Sequence, residues 1–170
     1  YSSAAGTFAV SGAVQAAWIA QGWEAGPLGY PASGLICGLR DGACRQTFEG
    51  GTVVSRPSGT FVLTGAVVAA WTSAGGEAGP LGLPSSKFVC GLRDGGCGQV
   101  FDGGRIYSSV AGGTRAMHGP IHSAWVAQGY ELGPLGYPTS DPHMVSGGTA
   151  QDFQGGTLTV DDATGLVTRS

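Results

Sequence analysis

Lysine and clustered positive charge are nearly absent from this chain. Of its 170 residues, 8 are lysine or arginine, and Lys87 is the one lysine. Because binding to nucleic-acid phosphates requires clustered basic side chains, the net charge of −3 argues against a nucleic-acid partner. Charged residues make up 11% of the chain, against roughly 25% in an average soluble domain. A surface so poor in charge favours neutral polar partners, sugars among them.

Long apolar runs are also missing. No segment approaches the roughly 18 consecutive apolar residues of a membrane-spanning helix, and no secretory leader is visible. The first residues, Tyr1-Ser-Ser, recur as Tyr107-Ser-Ser, so the chain opens within a repeated pattern. We therefore expect a mature chain or a fragment of a longer protein, without membrane insertion.

The motifs of common catalytic classes are absent as well. There is no G-x-S-x-G, no H-E-x-x-H and no phosphate-binding glycine loop between a strand and a helix. His118 and His122 have the i, i+4 spacing of a metal-binding pair, but the other repeats carry no histidine at these positions. We predict no catalytic residue, no metal and no cofactor.

A glutamate recurs after each of three predicted helices. These residues are Glu24, Glu77 and Glu131. Glycosidases place two carboxylates about 5 to 10 Å apart, whereas separate repeats would hold these glutamates apart, which favours a role in a turn. A hydrolase with a dispersed active site stays open as an alternative. It would require a deep polar cleft with perturbed titratable groups.

Glycine, by contrast, is abundant, at 33 of 170 residues, and it recurs within a long repeat. The hexapeptide Gly-Pro-Leu-Gly-x-Pro appears three times, starting at Gly26, Gly79 and Gly133. Two prolines around a glycine disfavour helix and predict a rigid extended turn. The leucine between them is the expected core residue. This repeat sets the architecture of the whole chain.

Each hexapeptide follows a short predicted helix and precedes predicted β-hairpins. Apolar residues at helical spacing, among them Trp18, Trp71 and Trp125, indicate the helices, and a glycine ends each one. Helices of two to three turns are unstable alone, so these tryptophans are expected to pack in the core. Asp-Gly turns at 41–42 and 94–95, and three Phe-x-Gly-Gly segments, predict the hairpins.

The predicted fold class is an α+β repeat protein forming one domain over residues 1–170. Its three units span about 1–54, 55–106 and 107–159, and residues 160–170 supply a closing hairpin strand. That strand is present at both ends of the chain, which favours an open array of units. A closed, propeller-like ring is the alternative.

Four cysteines lie in two identical Cys-x6-Cys hairpins. They are Cys37, Cys44, Cys90 and Cys97. A disulfide within each hairpin is favoured over zinc, which commonly uses Cys-x2-4-Cys spacing and four converging ligands. Closing so small a loop contributes about 2.5 kcal/mol in the loop-entropy model. Disulfides indicate an oxidising compartment and therefore secretion. The third repeat has no cysteine, so the bridge is an accessory to the fold.

The hexapeptide, the tryptophan-bearing helix before it and the Phe-x-Gly-Gly segment after it together resemble the LGFP repeat family over nearly the whole chain. The family's typical Phe is replaced here by Tyr30, Leu83 and Tyr137, and the cysteine hairpins are an addition. The resemblance implies a secreted actinobacterial protein with non-catalytic repeats. Such repeats anchor themselves or an attached cell-wall enzyme on cell-wall polysaccharide, with arabinogalactan or a peptidoglycan-associated glycan as the ligand.

Candidate ligand contacts follow from positions at which the repeats differ. Trp23 and Tyr130 stand where the middle repeat has Gly76. The fold therefore requires no aromatic side chain there, and we predict that both rings stack on sugars. Tyr30 and Tyr137 are predicted to be partly buried and to present their hydroxyls.

The hairpin loops contain two further candidate pairs, Arg40-Asp41 and Arg93-Asp94. Their side chains could hydrogen-bond to sugar hydroxyls, or they could be exposed ion pairs of little consequence for stability. Weak sites repeated along the chain would bind with avidity. The alternative function is a protein-interaction or surface-assembly module that binds no glycan.

Overall fold

The computed structural model of the protein describes residues 1–4 and 6–170. It contains three α-helices of nine residues each: α1 Gly12–Ala20, α2 Gly65–Ser73 and α3 Gly119–Ala127. Each helix is followed by a glycine in the left-handed region, with φ of 92°, 94° and 96° at Gly22, Gly75 and Gly129. A glycine adopts this conformation without the clash that a Cβ would cause. The predicted helices and their glycine stops are confirmed.

The strands form one two-stranded ribbon and three four-stranded sheets, all antiparallel and ordered as along the chain. The ribbon consists of β1 Ser2–Ser3 and β2 Gly6–Thr7. The first sheet consists of β3 Ile36–Cys37, β4 Cys44–Phe48, β5 Gly51–Arg56 and β6 Gly59–Thr64. The second consists of β7 Val89–Cys90, β8 Cys97–Phe101, β9 Gly104–Ser109 and β10 Gly113–His118. The third consists of β11 His143–Val145, β12 Gly148–Phe153, β13 Gly156–Asp161 and β14 Val167–Arg169.

The hexapeptide and the Phe-x-Gly-Gly segment form one joint between helix and sheet. The Trp18 indole N–H donates to the Gly29 carbonyl at 2.9 Å. The Gly50 N–H donates to the Leu28 carbonyl at 2.8 Å. A Cβ on Gly50 would lie 2.0 Å from the Pro27 carbonyl oxygen, so the two backbones approach more closely than any side chain allows. This explains why the Phe-x-Gly-Gly segment requires glycine at this position.

The same joint recurs in the other two repeats. The indoles of Trp71 and Trp125 donate to the carbonyls of Gly82 and Gly136, both at 2.8 Å. The N–H groups of Gly103 and Gly155 donate to the carbonyls of Leu81 and Leu135, both at 2.9 Å. The three tryptophans are at most 1% exposed and the three leucines are fully buried. The predicted core positions of both residue types are therefore confirmed.

A buried glutamine in the central strands was not anticipated from the sequence. The Gln46 Nε2 donates to the carbonyls of Ala9 and Ser33, both at 2.9 Å. In the third repeat, the Nε2 of Gln151 makes the same pair of 2.9 Å bonds to the carbonyls of Ala116 and Ser140. This side chain connects the segment before a helix to the segment after the hexapeptide, and it satisfies two backbone acceptors.

Both predicted disulfides are present. Cys37 bonds to Cys44 and Cys90 bonds to Cys97, and each pair stands directly opposite across two antiparallel strands. Between the cysteines the loop makes a 3₁₀ turn with a left-handed aspartate, Asp41 in the first hairpin, at φ 56°. The connection is therefore wider than the two-residue Asp-Gly turn that the sequence suggested.

The described chain divides into two compact units. One contains Tyr1–Ala69 and Leu83–Lys87, and the other contains Ala70–Gly82 and Phe88–Ser170. The repeated helices and four-stranded sheets confirm an α+β repeat architecture. The single domain, the unit boundaries and the choice between an open and a propeller-like array stay predictions. Within the described residues, no helix combines the length and hydropathy needed to cross a membrane.

Candidate functional site

The aromatic residue after the first helix adopts a backbone conformation that suits glycine. Trp23 follows Gly22 and begins the 3₁₀ turn Trp23–Ala25, with φ of 58°. Tyr130 has φ of 59° and Gly76, in the middle repeat, has φ of 60°. A bulky L-residue in the left-handed region costs about 1–2 kcal/mol, whereas glycine avoids this cost. Two of the three repeats thus have a large aromatic residue in a backbone conformation that favours glycine.

Trp23 is anchored on one side and open on the other. Its ring lies edge-on to the buried Trp18, with 5.3 Å between ring centroids. Tyr1 packs against both indoles, with centroids 4.5 Å from Trp18 and 6.2 Å from Trp23. Trp23 nevertheless remains 37% exposed and Tyr1 46% exposed. The arrangement is an aromatic surface that is partly open to solvent, and the stacking of Trp23 on sugars stays a prediction.

Tyr130 occupies the corresponding place in the third repeat but has different neighbours. Its ring lies edge-on to Trp125 at 5.7 Å, and the Arg105 guanidinium stands 5.0 Å from its centroid. Arg105 also donates to the Tyr107 hydroxyl at 3.0 Å. Tyr130 is half-buried and carries a cation over its ring. The two predicted stacking residues are therefore similar in backbone but not in exposure.

The two predicted tyrosine hydroxyls are in opposite environments. Tyr137 is 1% exposed, and its hydroxyl donates to the Arg93 carbonyl at 2.8 Å. Burial, together with the nearby Glu131 carboxylate, raises the pKa of Tyr137 to about 12. The prediction that Tyr137 presents its hydroxyl to a ligand does not fit this burial, because the group is already bonded inside the protein. Tyr30, in contrast, is 37% exposed.

The predicted Arg-Asp pairs lie on the exposed hairpin loops. In the first loop, Asp41 accepts from Arg56 at 3.3 Å, and Arg40 is exposed. In the second, Arg93 pairs with its neighbour Asp94 at 3.3 Å. Arg56 is mostly buried, whereas Arg93 and Asp94 are both exposed, and an exposed pair stabilises a fold by about 0–1 kcal/mol. Their contact with sugar hydroxyls stays a prediction.

Sequence reasoning missed Arg105, the charged residue over the Tyr130 ring, and it gave no role to the nearby His122. The His122 Nε2 is buried and has no hydrogen-bond partner among the described residues. Burial lowers the pKa of His122, and the positive charges of Arg105 and His118 lower it further. Burial also lowers the pKa of His118. The arginine was not noticed because the equivalent residue in the first sheet is Thr52.

The described residues hold no group of three or more histidine, cysteine, aspartate or glutamate side chains that could bind a metal ion. The candidate site is accordingly built from aromatic rings, with Arg105 as the charged group closest to one of them. Such a site can stack and donate hydrogen bonds.

Comparison with known proteins gives the chain a family. No curated protein matches it. A family model described as LGFP repeat matches residues 28–79 and 81–133. Each matched segment contains the remainder of one hexapeptide, the sheet after it and the next helix. Since these segments cover more than half of the sequence, the chain belongs to the LGFP repeat family.

Proposed function

We propose that this chain is a non-catalytic module that binds cell-wall polysaccharide and thereby anchors itself or an attached enzyme. The observation that carries the proposal is Trp23, a half-open indole kept in a conformation that glycine would adopt without strain. Strain of this kind in a bulky residue marks a position where the side chain has a role of its own. The ligand is arabinogalactan or a peptidoglycan-associated glycan.

The chemistry of the two aromatic positions suits a neutral sugar. A rigid ring offers a large apolar face for the C–H groups of a sugar, at a small cost in side-chain entropy. Trp23 offers this face directly. At Tyr130 the neighbouring Arg105 guanidinium adds donors for ring oxygens and hydroxyls. Two weak sites on one chain would bind a repeating polymer with avidity.

The proposed location is outside the cell, at the cell wall. Two disulfides support it, because such bridges form and persist in oxidising compartments. The same disulfides would stabilise the two hairpins in the oxidising extracellular environment.

Replacing Trp23 and Tyr130 by glycine tests the proposal without straining the backbone, since Gly76 already occupies this conformation. We expect the Trp23→Gly/Tyr130→Gly variant to lose at least about fivefold in retention on insoluble arabinogalactan. Each ring is worth about 0.5–1.5 kcal/mol. Co-sedimentation with purified arabinogalactan and with peptidoglycan measures the loss.

The matched control is Val110→Gly, which removes a side chain that is 99% exposed and lies away from both rings in sequence. It should bind as the unmodified chain does. A folded Trp23→Gly/Tyr130→Gly variant with unchanged retention on both polymers would overturn the assignment of these rings. Absence of binding by the unmodified chain would overturn the function itself.

A protein-interaction module is the second candidate, and exposed apolar pairs on the hairpins support it. Leu35 and Ile36 are 40% and 46% exposed, and Phe88 and Val89 are 39% and 54% exposed. These residues lie at or beside the outer strands β3 and β7. Exposed apolar groups at sheet edges are typical of interaction surfaces. Replacing Leu35 and Phe88 by serine should leave glycan retention unchanged and reduce self-association in sedimentation velocity.

A further inference from the structure

Equivalent aromatic residues of the first and third repeats differ in burial. Tyr30 and Tyr137 hold the same place in the hexapeptide, yet they are 37% and 1% exposed. Tyr1 and Tyr107, which begin the repeated Tyr-Ser-Ser segment, are 46% and 2% exposed. The difference therefore does not come from the residue type. It comes from what covers the third repeat.

The disulfide hairpin at 90–97 covers Tyr137. The Arg93 carbonyl accepts from the Tyr137 hydroxyl at 2.8 Å, and the Arg93 Nη1 donates to the Glu131 carbonyl at 3.0 Å. A Cβ on Gly96 would lie 2.2 Å from the Tyr137 hydroxyl oxygen. The phenol thus reaches the hairpin only because the residue before the second cysteine is glycine.

The first hairpin carries a different residue at this position, and the next hexapeptide differs to match. Ala43 stands before Cys44 as Gly96 stands before Cys97, and the fifth residue of the hexapeptide that follows is Leu83. Ala43 and Leu83 are both fully buried. Glycine is thus followed by tyrosine and alanine by leucine. The hairpin with the extra methyl group precedes the hexapeptide that lacks a phenol hydroxyl. This indicates that the residue before the second cysteine and the fifth hexapeptide residue together determine which hairpin fits which hexapeptide.

We propose that the face formed by Tyr1 and Tyr30 binds the disulfide hairpin of a further LGFP repeat, one with glycine before its second cysteine. The required partner follows from the third repeat, where a hairpin of this type seats the Tyr137 phenol. Tyr30 has a hydroxyl that needs the same glycine. This surface adjoins the proposed glycan contact, because Tyr1 packs against Trp23. In the third repeat, Tyr130, which corresponds to Trp23, stays half-buried beside a seated hairpin.

The backbone offers the incoming hairpin a place to pair. In the second sheet, Cys97 pairs with Ser108 and Gly98 pairs with Tyr107. Tyr1-Ser-Ser corresponds to Tyr107-Ser-Ser, and among the described residues β1 pairs with β2 in a two-stranded ribbon. A hairpin that adds its second strand to β1 would extend the ribbon as β8 extends β9. Such strand addition provides main-chain hydrogen bonds, while the Tyr30 pocket provides selectivity.

The hairpins described within this chain do not meet the requirement, so a second copy is not the proposed partner. The hairpin at 90–97 is already bonded to Tyr137. The hairpin at 37–44 carries Ala43, whose methyl group occupies the place that a phenol hydroxyl needs. In the third repeat, Met144 pairs with Thr149 where cysteines pair in the second. This hairpin has four connecting residues in place of six, and it lacks the Arg-Asp segment.

An extended chain tests the proposal. Residues 55–106 are joined ahead of residue 1, so that Tyr1 takes the place of Tyr107 and a second hairpin with glycine precedes it. Tyrosine nitration by tetranitromethane, mapped by mass spectrometry, reports on the exposure of each ring. We expect Tyr30 to react in the original chain and to be protected at least tenfold in the extended chain. Tyr137 should be protected in both and confirms that the protein is folded.

The matched control is the same extended chain with Gly96→Ala in the added hairpin, where Tyr30 should react again. Adding Tyr30→Leu to that control should raise its unfolding midpoint above that of the control alone. The reason is that leucine leaves room for the methyl group of the introduced alanine. Equal nitration of Tyr30 with and without the added repeat would overturn the proposal. Protection of Tyr30 that grows with the concentration of the original chain would also overturn it, in favour of a second copy.

If the extended chain does not fold, the original chain still decides the pairing rule. Gly96→Ala should raise Tyr137 nitration at least tenfold, and Gly96→Ala/Tyr137→Leu should unfold at a higher urea concentration than Gly96→Ala alone. Gly96→Ala with Tyr137 still protected would contradict the rule and with it the proposal.

Discussion

At the scale of single residues, the fold depends on glycines that bring two backbones together. Gly50 is the clearest case, since it lies beneath the hexapeptide and its N–H bonds to the Leu28 carbonyl. The sequence shows that Phe-x-Gly-Gly recurs, but it does not show which segment the glycines meet. That contact depends on a chain reversal of about twenty residues, which the structure reveals.

Replacing Gly50 by alanine should lower the free energy of unfolding by about 3 kcal/mol, the upper end of the range for overpacking. The added Cβ would lie 2.0 Å from the Pro27 carbonyl oxygen, so one of the two backbones must move. Urea denaturation measures the change. Gly34→Ala is the control, because a Cβ at Gly34 meets nothing within 4 Å and stability should be nearly unchanged. Similar stabilities for the two variants would contradict this account.

The two histidines of the third repeat predict a dependence of stability on pH. Burial lowers the pKa of both His118 and His122 in the folded protein. A lowered pKa means that the unfolded chain binds protons more readily, so the stabilisation is present above about pH 6.5 and is lost as the pH falls through the folded pKa. The free energy of unfolding should therefore decrease from pH 7.5 to pH 5.5.

The residues of the first repeat provide the matched variant, His118→Ser/His122→Gln, since Ser11 and Gln15 occupy those positions. Urea denaturation at pH 7.5, 6.5 and 5.5 should show a shallower decrease for this variant than for the original chain. An equal decrease in both would assign the pH dependence to carboxylates instead.

At the scale of elements, the hairpin between β7 and β8 serves both as part of a sheet and as a cover for the next repeat. Its disulfide holds the loop that meets Tyr137. The third repeat forms the hairpin between β11 and β12 without a disulfide, so the bridge is not needed for the strands to pair. The disulfide should stabilise the protein by reducing the conformational entropy of the unfolded chain.

Replacing Cys90 and Cys97 by serine should lower the free energy of unfolding by about 2.5 kcal/mol in the loop-entropy model, while the sheet stays folded. The Cys37→Ser/Cys44→Ser variant is the comparison, because its loop has the same sequence separation of 7. Urea denaturation under non-reducing conditions gives both values. Tyr137 nitration should rise only in the first variant. Complete loss of the folded state in either variant would show that the bridge is essential, contrary to expectation.

The exposed ring positions belong to the 3₁₀ turn after each helix, and this turn explains why sequence comparison between repeats found them. Gly76 showed that the position requires no side chain. The left-handed backbone that makes Trp23 costly was visible only in the structure. Tyr137 was misjudged because its burial depends on a hairpin that lies 44 residues earlier.

At the scale of the whole molecule, the proposed function rests on several weak sites within one chain. Trp23 and Tyr130 lie in separate repeats of one polypeptide, and the proposal requires that one long polysaccharide engages both. Two linked weak contacts bind more tightly than either one alone, provided that the ligand spans them.

Single and double variants should therefore differ between a polymer and a short sugar. On insoluble arabinogalactan, each single variant should lose nearly as much retention as Trp23→Gly/Tyr130→Gly if the remaining site alone cannot retain the chain. On a soluble oligosaccharide too short to reach both sites, the single variants should each lose one independent site. Calorimetric titration with the oligosaccharide and co-sedimentation with the polymer make the comparison. Equal losses on both ligands would indicate sites that act separately.

Much of this protein follows from its sequence alone. The repeat period, the three short helices, the hairpins, the buried tryptophans and leucines and the two disulfides follow from local signals, because turn glycines, prolines, periodic apolar residues and cysteine spacing act over few residues. The tertiary structure decided which rings are open and which are covered. Tyr30 and Tyr137 have the same local sequence but opposite exposure, because exposure depends on a neighbouring repeat and on whether its loop has a glycine to admit a phenol.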